Sequence, residues 1–352
     1  MHWIVLTPFH KQTGADSDCR DADDWITKYI SPEAHSFQVV PATYAHDRSR
    51  KGASGKEWRD YFSHALRGWL AASRSGAAPV GFITAFPQLA AAIGLIKRLT
   101  RSQAPVLAWC YNMGQTFEGA KKRFAQFALH SIDLFVVHSR REIATYAEWL
   151  GLPSERFVFV PLSVATVSPT RTESVDKPFV LAMGTANRDY RVLVDALTPL
   201  KYPATIVAGA HALAGLSTAE GLLTRSGLSG AECRDLCERA RIVVIPIDND
   251  VTASGQVSLL EAMMLGKSVI ATRCAGLQDY ILNGETGLLV PPGDAQTLGD
   301  AIQRLWADSD LRRKLGSSAL SHANEHFTFR SVADDMGKLL GQLGENAAKA
   351  PR

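Results

Sequence analysis

At 352 residues, with 46% hydrophobic and 21% charged residues, the chain is long enough for two ordinary domains with a large buried core, and its composition excludes a disordered or fibrous protein. Its five cysteines (Cys19, Cys110, Cys233, Cys237, Cys274) are odd in number and scattered, which argues against a disulfide framework and for a reducing compartment. The net charge of +3 is unremarkable and no nucleic-acid partner is expected, but fifteen Lys and Arg against four Asp and Glu between Arg48 and Arg141 make a strongly basic stretch that favours an anionic surface.

The opening HWIVLTPF reads as a buried strand, followed by a polar loop holding Gly14, Asp16 and Asp18 and by a helix near Trp25 to Ile30. In an open α/β sheet the loop after the first strand faces the ligand crevice, so Gly14 and Asp16 are candidate ligand contacts. The apolar start is too short for a secretory signal. Phe37 to Val40 is a second strand, and Trp58, Phe62, Ala65, Leu66, Trp69 and Leu70 recur at helical spacing. The uncharged run Ser75 to Ile96 is broken by two prolines and three glycines, so it reads as a buried strand from Val80 to Thr84 and a helix rather than a membrane span.

A strand from Pro105 to Cys110 ends at Tyr111 and Asn112. The helix Phe117 to His130 sets Lys121, Lys122 and Arg123 beside Phe117, Phe124 and Phe127; a basic amphipathic helix of this kind suits an anionic membrane face, and a plain surface helix is the alternative. Ile132 to Val137, a helix from Arg140 to Leu150 and Phe157 to Pro161 complete the first half, and the polar stretch Ala165 to Lys177 reads as the interdomain linker.

A second alternating set begins with the strand Phe179 to Met183, closed by Gly184, and a helix in NRDYRVLVDAL. Thr205 to Ala208, a helix from Gly230 to Ala240 and Ile242 to Pro246 follow. Ser254, Gly255, Gln256, Val257 and Ser258 then crowd the start of a short helix that carries Glu261, a β-branched run ends at Thr272, a further helix closes at Asn283-Gly284, and a strand ends at Pro291-Pro292-Gly293. Unpaired amides and the positive dipole end at a helix start suit a diphosphate, and a carboxylate two turns further in suits a ribose diol. Helices Leu298 to Trp306, Leu311 to Asn324 and Ser331 to Leu343 close the chain. Gly266-Lys267-Ser268 is not a phosphate-binding P-loop, because the required glycine position is Glu261, and no histidine spacing marks a metal site.

The segments SGQVSLLEAM, Gly266, VIAT, AGLQDYI and NGETGLLVPPGD resemble, in order and spacing, the donor half of the retaining, nucleotide-sugar-dependent glycosyltransferases of family four. The run from Ile132 to Val164 is similar to the last unit of that family's N-terminal domain. The resemblance implies an α/β protein of GT-B fold: an acceptor-side Rossmann-like domain over 1–165, a nucleotide-sugar domain over 166–328 facing it across a cleft, and a helix in 329–352 crossing back onto the first domain. It implies Arg188 on the donor pyrophosphate, the amides of Gly255 to Ser258 on the β-phosphate, Glu261 on the ribose, and neither a metal nor a cofactor besides the donor substrate.

The chain departs from the family pattern at four places. The first of two glutamates separated by seven residues falls on Ala253, the cation directly after Gly184 is Thr185, a His-Asp pair close to the reacting sugar is replaced by Tyr111 and Asn112, which the resemblance makes candidate substrate contacts, and the Gly-Gly turn after the first strand is reduced to Gly14. The expected function is sugar transfer to a glycan or lipid-linked acceptor by a cytoplasmic protein with peripheral contact to an anionic membrane. The alternatives are a non-catalytic nucleotide-sugar-binding subunit and a GT-B sugar epimerase.

Overall fold

The computed structural model describes residues 1–11, 28–30, 33–44, 53–76, 79–114, 116–217, 219–251 and 253–349. They form two compact units, Met1–Pro161 with Phe329–Arg352, and Leu162–Thr328. The expected residues Gly14 and Asp16, and most of the helix expected near Trp25, lie outside the described residues.

In the first unit β1 (His2–Lys11), β2 (Ser36–Ala42), β3 (Val80–Ala85), β4 (Val106–Trp109), β5 (Leu134–Val137) and β6 (Phe157–Phe159) form one parallel sheet in the order β2-β1-β3-β4-β5-β6. Strict alternation explains why it is buried on both faces. Ile4, Leu6, Phe82, Val106, Ala108, Phe135 and Val137 point into one apolar cluster with the helices Gly55–Arg74, Pro87–Thr100, Ala120–Leu129 and Arg140–Leu150. Trp3, Val5, Ile83, Leu107, Trp109 and Val136 point into the other, which the C-terminal helix Phe329–Lys349 covers with Val332, Met336 and Leu340. The uncharged run around Val80 is thus a strand and a helix, and among the described residues no helix is long and apolar enough to cross a membrane.

The second unit repeats the plan with β7 (Val180–Met183), β8 (Ala204–Val207), β9 (Leu222–Arg225), β10 (Ile242–Ile245), β11 (Val269–Thr272) and β12 (Leu288–Val290), in the order β12-β11-β10-β7-β8-β9. All its pairings are parallel. Two expectations change here, and one strand goes beyond them. The stretch from Ala165 is no free linker: Val164 bridges Thr328, Glu238 accepts from Thr170, and Glu173 lies between Arg241 (2.8 Å) and Arg312 (3.0 Å), so its polar residues are tied to the second unit. The helix expected before Asn283 is a run of turns, in which Tyr280 is buried and its hydroxyl accepts from the Leu162 amide at 2.9 Å. The edge strand β9 gave no sequence signal, because three of its four residues are exposed and it lacks an apolar period.

Two histidines are buried in the first unit. His64 lies between the Tyr44 hydroxyl and the Val40 carbonyl, and His138 meets the Val160 carbonyl at 2.7 Å. Desolvation pushes both pKa values down to about 4, against backbone hydrogen bonds that pull upward. A histidine whose folded pKa lies below its unfolded value stabilises the fold fully above the unfolded pKa of about 6.5. That stability is lost as pH falls from there through the folded value. Between about pH 6.5 and about pH 4 the stability is expected to drop by about 2–3 kcal/mol per histidine. His64→Gln or His138→Gln should flatten a plot of urea midpoint against pH over this range.

Candidate donor site

The site is assembled at the C-terminal ends of β7 and β10, where an open parallel sheet leaves its loops for ligands. After β7 the chain turns at Gly184, whose φ of +121° is closed to side-chain-bearing residues. A Cβ there would also overlap the Arg188 guanidinium, so the missing side chain is the space the cation occupies. The segment 187–189 is pinned to the loop after β10 by an antiparallel bridge between Arg188 and Ile247, with Asp189 N–H to Pro246 O at 3.0 Å and Asp248 N–H to Asn187 O at 3.2 Å. Tyr190 closes the turn by donating its hydroxyl to the Gly184 carbonyl, and Asp189 caps the following helix through the Val192 amide.

Arg188 is aimed by these contacts. Its Nε donates to the Met183 carbonyl (3.2 Å), Nη1 to the Ala186 carbonyl (2.8 Å) and the Ser254 hydroxyl (3.4 Å), and Nη2 to the Ser258 hydroxyl (3.2 Å). Among the described residues it forms no ion pair. Asp189 is spent on its cap, Glu220 pairs with Lys201, and Asp248, whose charge acts on the guanidinium, makes no ion pair with it. Part of the side chain stays accessible, but the guanidinium is enclosed enough for desolvation to lower its pKa, with Tyr190 the largest opposing influence. The result is a positive charge held beside neutral hydroxyls.

Those hydroxyls flank the helix Gln256–Met264. Its N-cap is Gly255 at φ +93°, and no side chain caps its first amides. A Cβ at Gly255 would press on Ile245, Leu277 and Ile247 at 3.1–3.2 Å, so a capping serine or aspartate is sterically excluded and the amides of Gln256, Val257 and Ser258 stay unpaired by the helix. Ser254 and Gln256 are buried, whereas Val257, Ser258 and Glu261 share the face that opens outward. Glu261 is exposed and so can reach a ligand, while the surrounding protein desolvates its carboxyl enough to raise the pKa, against the pull of Arg234.

The departures also have places. Ala253 is buried at the position of the absent acid. Thr185, in place of the second cation, accepts from the Gly209 amide at 2.9 Å and so ties down the loop after β8. Lys267 donates to the Glu238 carbonyl and is a core residue, in agreement with rejection of the P-loop reading. The Asp of the PPGD run, Asp294, caps the helix Ala295–Ala307 through the Thr297 amide.

In the first unit, the expectation that Tyr111 binds substrate fails. Its ring is fully buried against Phe135 and Tyr146, its hydroxyl meets the Met113 sulfur, and burial drives its pKa well upward; an aromatic side chain at the end of a central strand gains more from the core than from the rim. Asn112 folds over its own turn, its Oδ1 accepting from the Gly114 amide at 2.8 Å. Sequence reasoning missed His138, which stands at the end of β5 with Nε2 3.3 Å from the Cys110 sulfur; the spacing of the two residues carries no signal. Among the described residues no group of three or more His, Cys, Asp or Glu could hold a metal ion, and Cys110, Cys233, Cys237 and Cys274 are free thiols.

The pattern of the family described as "Glycosyl transferases group 1" matches residues 177–308, the stretch that holds every residue of this site. Over these residues the chain is similar to that family. Among curated relatives, the D-inositol 3-phosphate glycosyltransferase of Corynebacterium jeikeium is 38% identical over 104 residues, covering 30% of this chain and 24% of its own length. The D-rhamnosyltransferase WbpZ of Pseudomonas aeruginosa is 30% identical over 165 residues, covering 44% of this chain and 43% of its own length. The chain therefore spans less than half the length of these relatives. Among solved structures, HepE of Anabaena in complex with UDP-glucose superposes with a TM-score of 0.68 over 97% of this chain and 100% of that one at 14% identity, which places the chain in the GT-B fold.

For a group 1 domain built this way, Gly184→Ala is expected to cost at least about 1–3 kcal/mol, since strain at positive φ adds to overlap with Arg188. Gly293→Ala, at φ +69° with open space around it, is the comparison and should cost about 1 kcal/mol. Urea unfolding of both variants measures the difference.

Proposed function

We propose that the protein is a retaining glycosyltransferase that moves a sugar from a nucleoside diphosphate sugar to a glycan or lipid-linked acceptor. The observation that carries this reading is Arg188: a cation without a carboxylate partner among the described residues, held beside the uncapped start of the Gln256–Met264 helix. Such a pair of fixed positive dipole and fixed charge suits a diphosphate, whose negative charge grows as the bond to the sugar breaks. Arg188 and the Gln256 to Ser258 amides meet that charge, Gly184 leaves room for the cation, and Glu261 accepts from the ribose hydroxyls. The complex of HepE with UDP-glucose supports a nucleotide-sugar donor. The name of one matched relative, the capsular polysaccharide biosynthesis glycosyltransferase CapM of Staphylococcus aureus, supports a place in surface glycan synthesis. A second reading, a nucleotide-sugar binder without turnover, is favoured by the buried Ala253, which puts no carboxylate where the family has its first glutamate.

Glu261→Ala is expected to weaken nucleotide binding by about 1–3 kcal/mol, the loss of a charge-assisted hydrogen bond. Calorimetry over a panel of nucleoside diphosphates reads it, and unchanged affinity sinks the ribose assignment. Arg188→Gln should lower turnover by about 10²–10³-fold, as removal of one stabilising donor from the transition state does. Binding of the donor without turnover on any lipid-linked acceptor selects the second reading.

The acceptor side is proposed to rest on an anionic membrane. Lys121 and Arg123 are exposed, Lys122 is paired with Glu118 at 3.3 Å, and Phe124 and Phe127 are 38% and 45% exposed on the same helix. Arg98 lies over the Phe127 ring at 4.3 Å, and Leu99 beside it in sequence is 69% exposed. Bulky apolar groups ringed by cations fit an interface between headgroups and acyl chains. Replacing Lys121, Lys122 and Arg123 by Glu is expected to abolish sedimentation with anionic liposomes, since each basic residue near the surface contributes about 1 kcal/mol. Persistent sedimentation refutes the docking.

A further inference from the structure

β2 is an edge strand of the first unit's sheet, with β1 on one side and no strand among the described residues on the other. Between β2 and the helix Gly55–Arg74 lies an open cavity of about 300 Å³, lined by Gln38, Val39, Val40 and Pro41 of the strand and by Arg67, Leu70, Ala71 and Arg74 of the helix. The four helical residues stand at positions i, i+3, i+4 and i+7, so one helix face presents two guanidiniums to the cavity with an apolar wall between them.

The charge there is not compensated. Nη2 of Arg67 is enclosed and has no hydrogen-bond partner among the described residues. Neither Arg67 nor Arg74 forms an ion pair among the described residues. Of the titratable groups that feel Arg67, His64 is held neutral by burial and occupied by Tyr44 and the Val40 carbonyl, and burial pushes the Tyr44 hydroxyl pKa upward. A charged donor that is buried and unmet is costly, and a native fold retains one where a ligand completes it. Two guanidiniums offer more donors than one carboxylate can accept, whereas a phosphate group has oxygens for both.

We infer that this cavity binds a phosphate group, gripped by Arg67 and Arg74, with Val39, Pro41 and Leu70 lining the side on which the rest of the ligand lies. The phosphate belongs either to a free phosphoryl compound or to a lipid headgroup; Leu66 and Leu70, 52% and 41% exposed on the same helix, would then touch acyl chains. The site lies in the first unit and is independent of the donor site, which belongs to the second.

The test uses the full chain carrying Arg188→Gln, so that the donor-site cation does not compete. Inorganic phosphate titrated into this protein by calorimetry should bind saturably, and adding Arg74→Gln or Arg67→Gln should weaken it at least tenfold. Arg74 is exposed, so its variant keeps the fold even if Arg67→Gln does not, and circular dichroism melting checks both. Flotation with phosphatidic acid vesicles, against phosphatidylcholine vesicles, separates the sources. A tenfold loss of flotation in Arg74→Gln assigns a headgroup, and unchanged flotation with weakened phosphate binding assigns a free compound. Phosphate affinity and flotation that are both unchanged by Arg74→Gln overturn the site.

Discussion

The candidate donor site depends on keeping one guanidinium charged, partly desolvated and, among the described residues, without a carboxylate partner. An arginine in such a place would ordinarily be neutralised by a carboxylate, and the fold prevents this by engaging the nearby acids elsewhere, since Asp189 caps a helix and Glu220 meets Lys201. The group is held by carbonyl and hydroxyl dipoles from Met183, Ala186, Ser254 and Ser258, with the charge of Asp248 acting on it outside ion-pair contact. Dipoles orient the group without cancelling it, so its field is left to act on an incoming anion.

Two glycines make that arrangement possible for different reasons. Gly184 empties the volume the guanidinium fills, and Gly255 removes the side chain that would have capped the helix and consumed its amides. The constraint extends into the backbone, where 187–189 is stitched to the loop after β10 and Gly276 lies so close to Ser254 that any side chain there would collide with the main chain. The positive end of the helix and the cation are therefore fixed by covalent geometry and backbone hydrogen bonds rather than by flexible side chains, the preorganisation that makes fixed charge effective.

The first unit uses the same sheet plan to other ends. Its strand ends carry Tyr111 and His138 inward, as buried, neutral groups, and its helices carry cations and aromatic rings outward. The surplus of positive charge in the sequence is thereby divided among an exposed helix, the wall of a cavity and the cation–ring contacts of Arg98 and Lys121. Net charge per segment says nothing about this division, because it depends on which helix face meets the sheet.

The sequence by itself determined the two-unit α/β plan, since alternation in the short strands and helical spacing between them leave few other ways to bury both faces of each sheet. Through its resemblance to a known family it also marked the two candidate donor segments, Gly184 to Arg188 and Gly255 to Glu261. Only the tertiary structure decided that Arg188 is unpaired among the described residues, that Thr185 ties a loop instead of contacting phosphate, that Tyr111 is core and that the stretch after Ala165 is tied to the second unit. Each of these depends on partners far apart in the chain: Arg188 with Ser254 and Ser258, Tyr111 with Phe135 and Tyr146, Glu173 with Arg241 and Arg312. Local spacing carries backbone geometry, whereas charge compensation and burial are set by neighbours that only folding brings together.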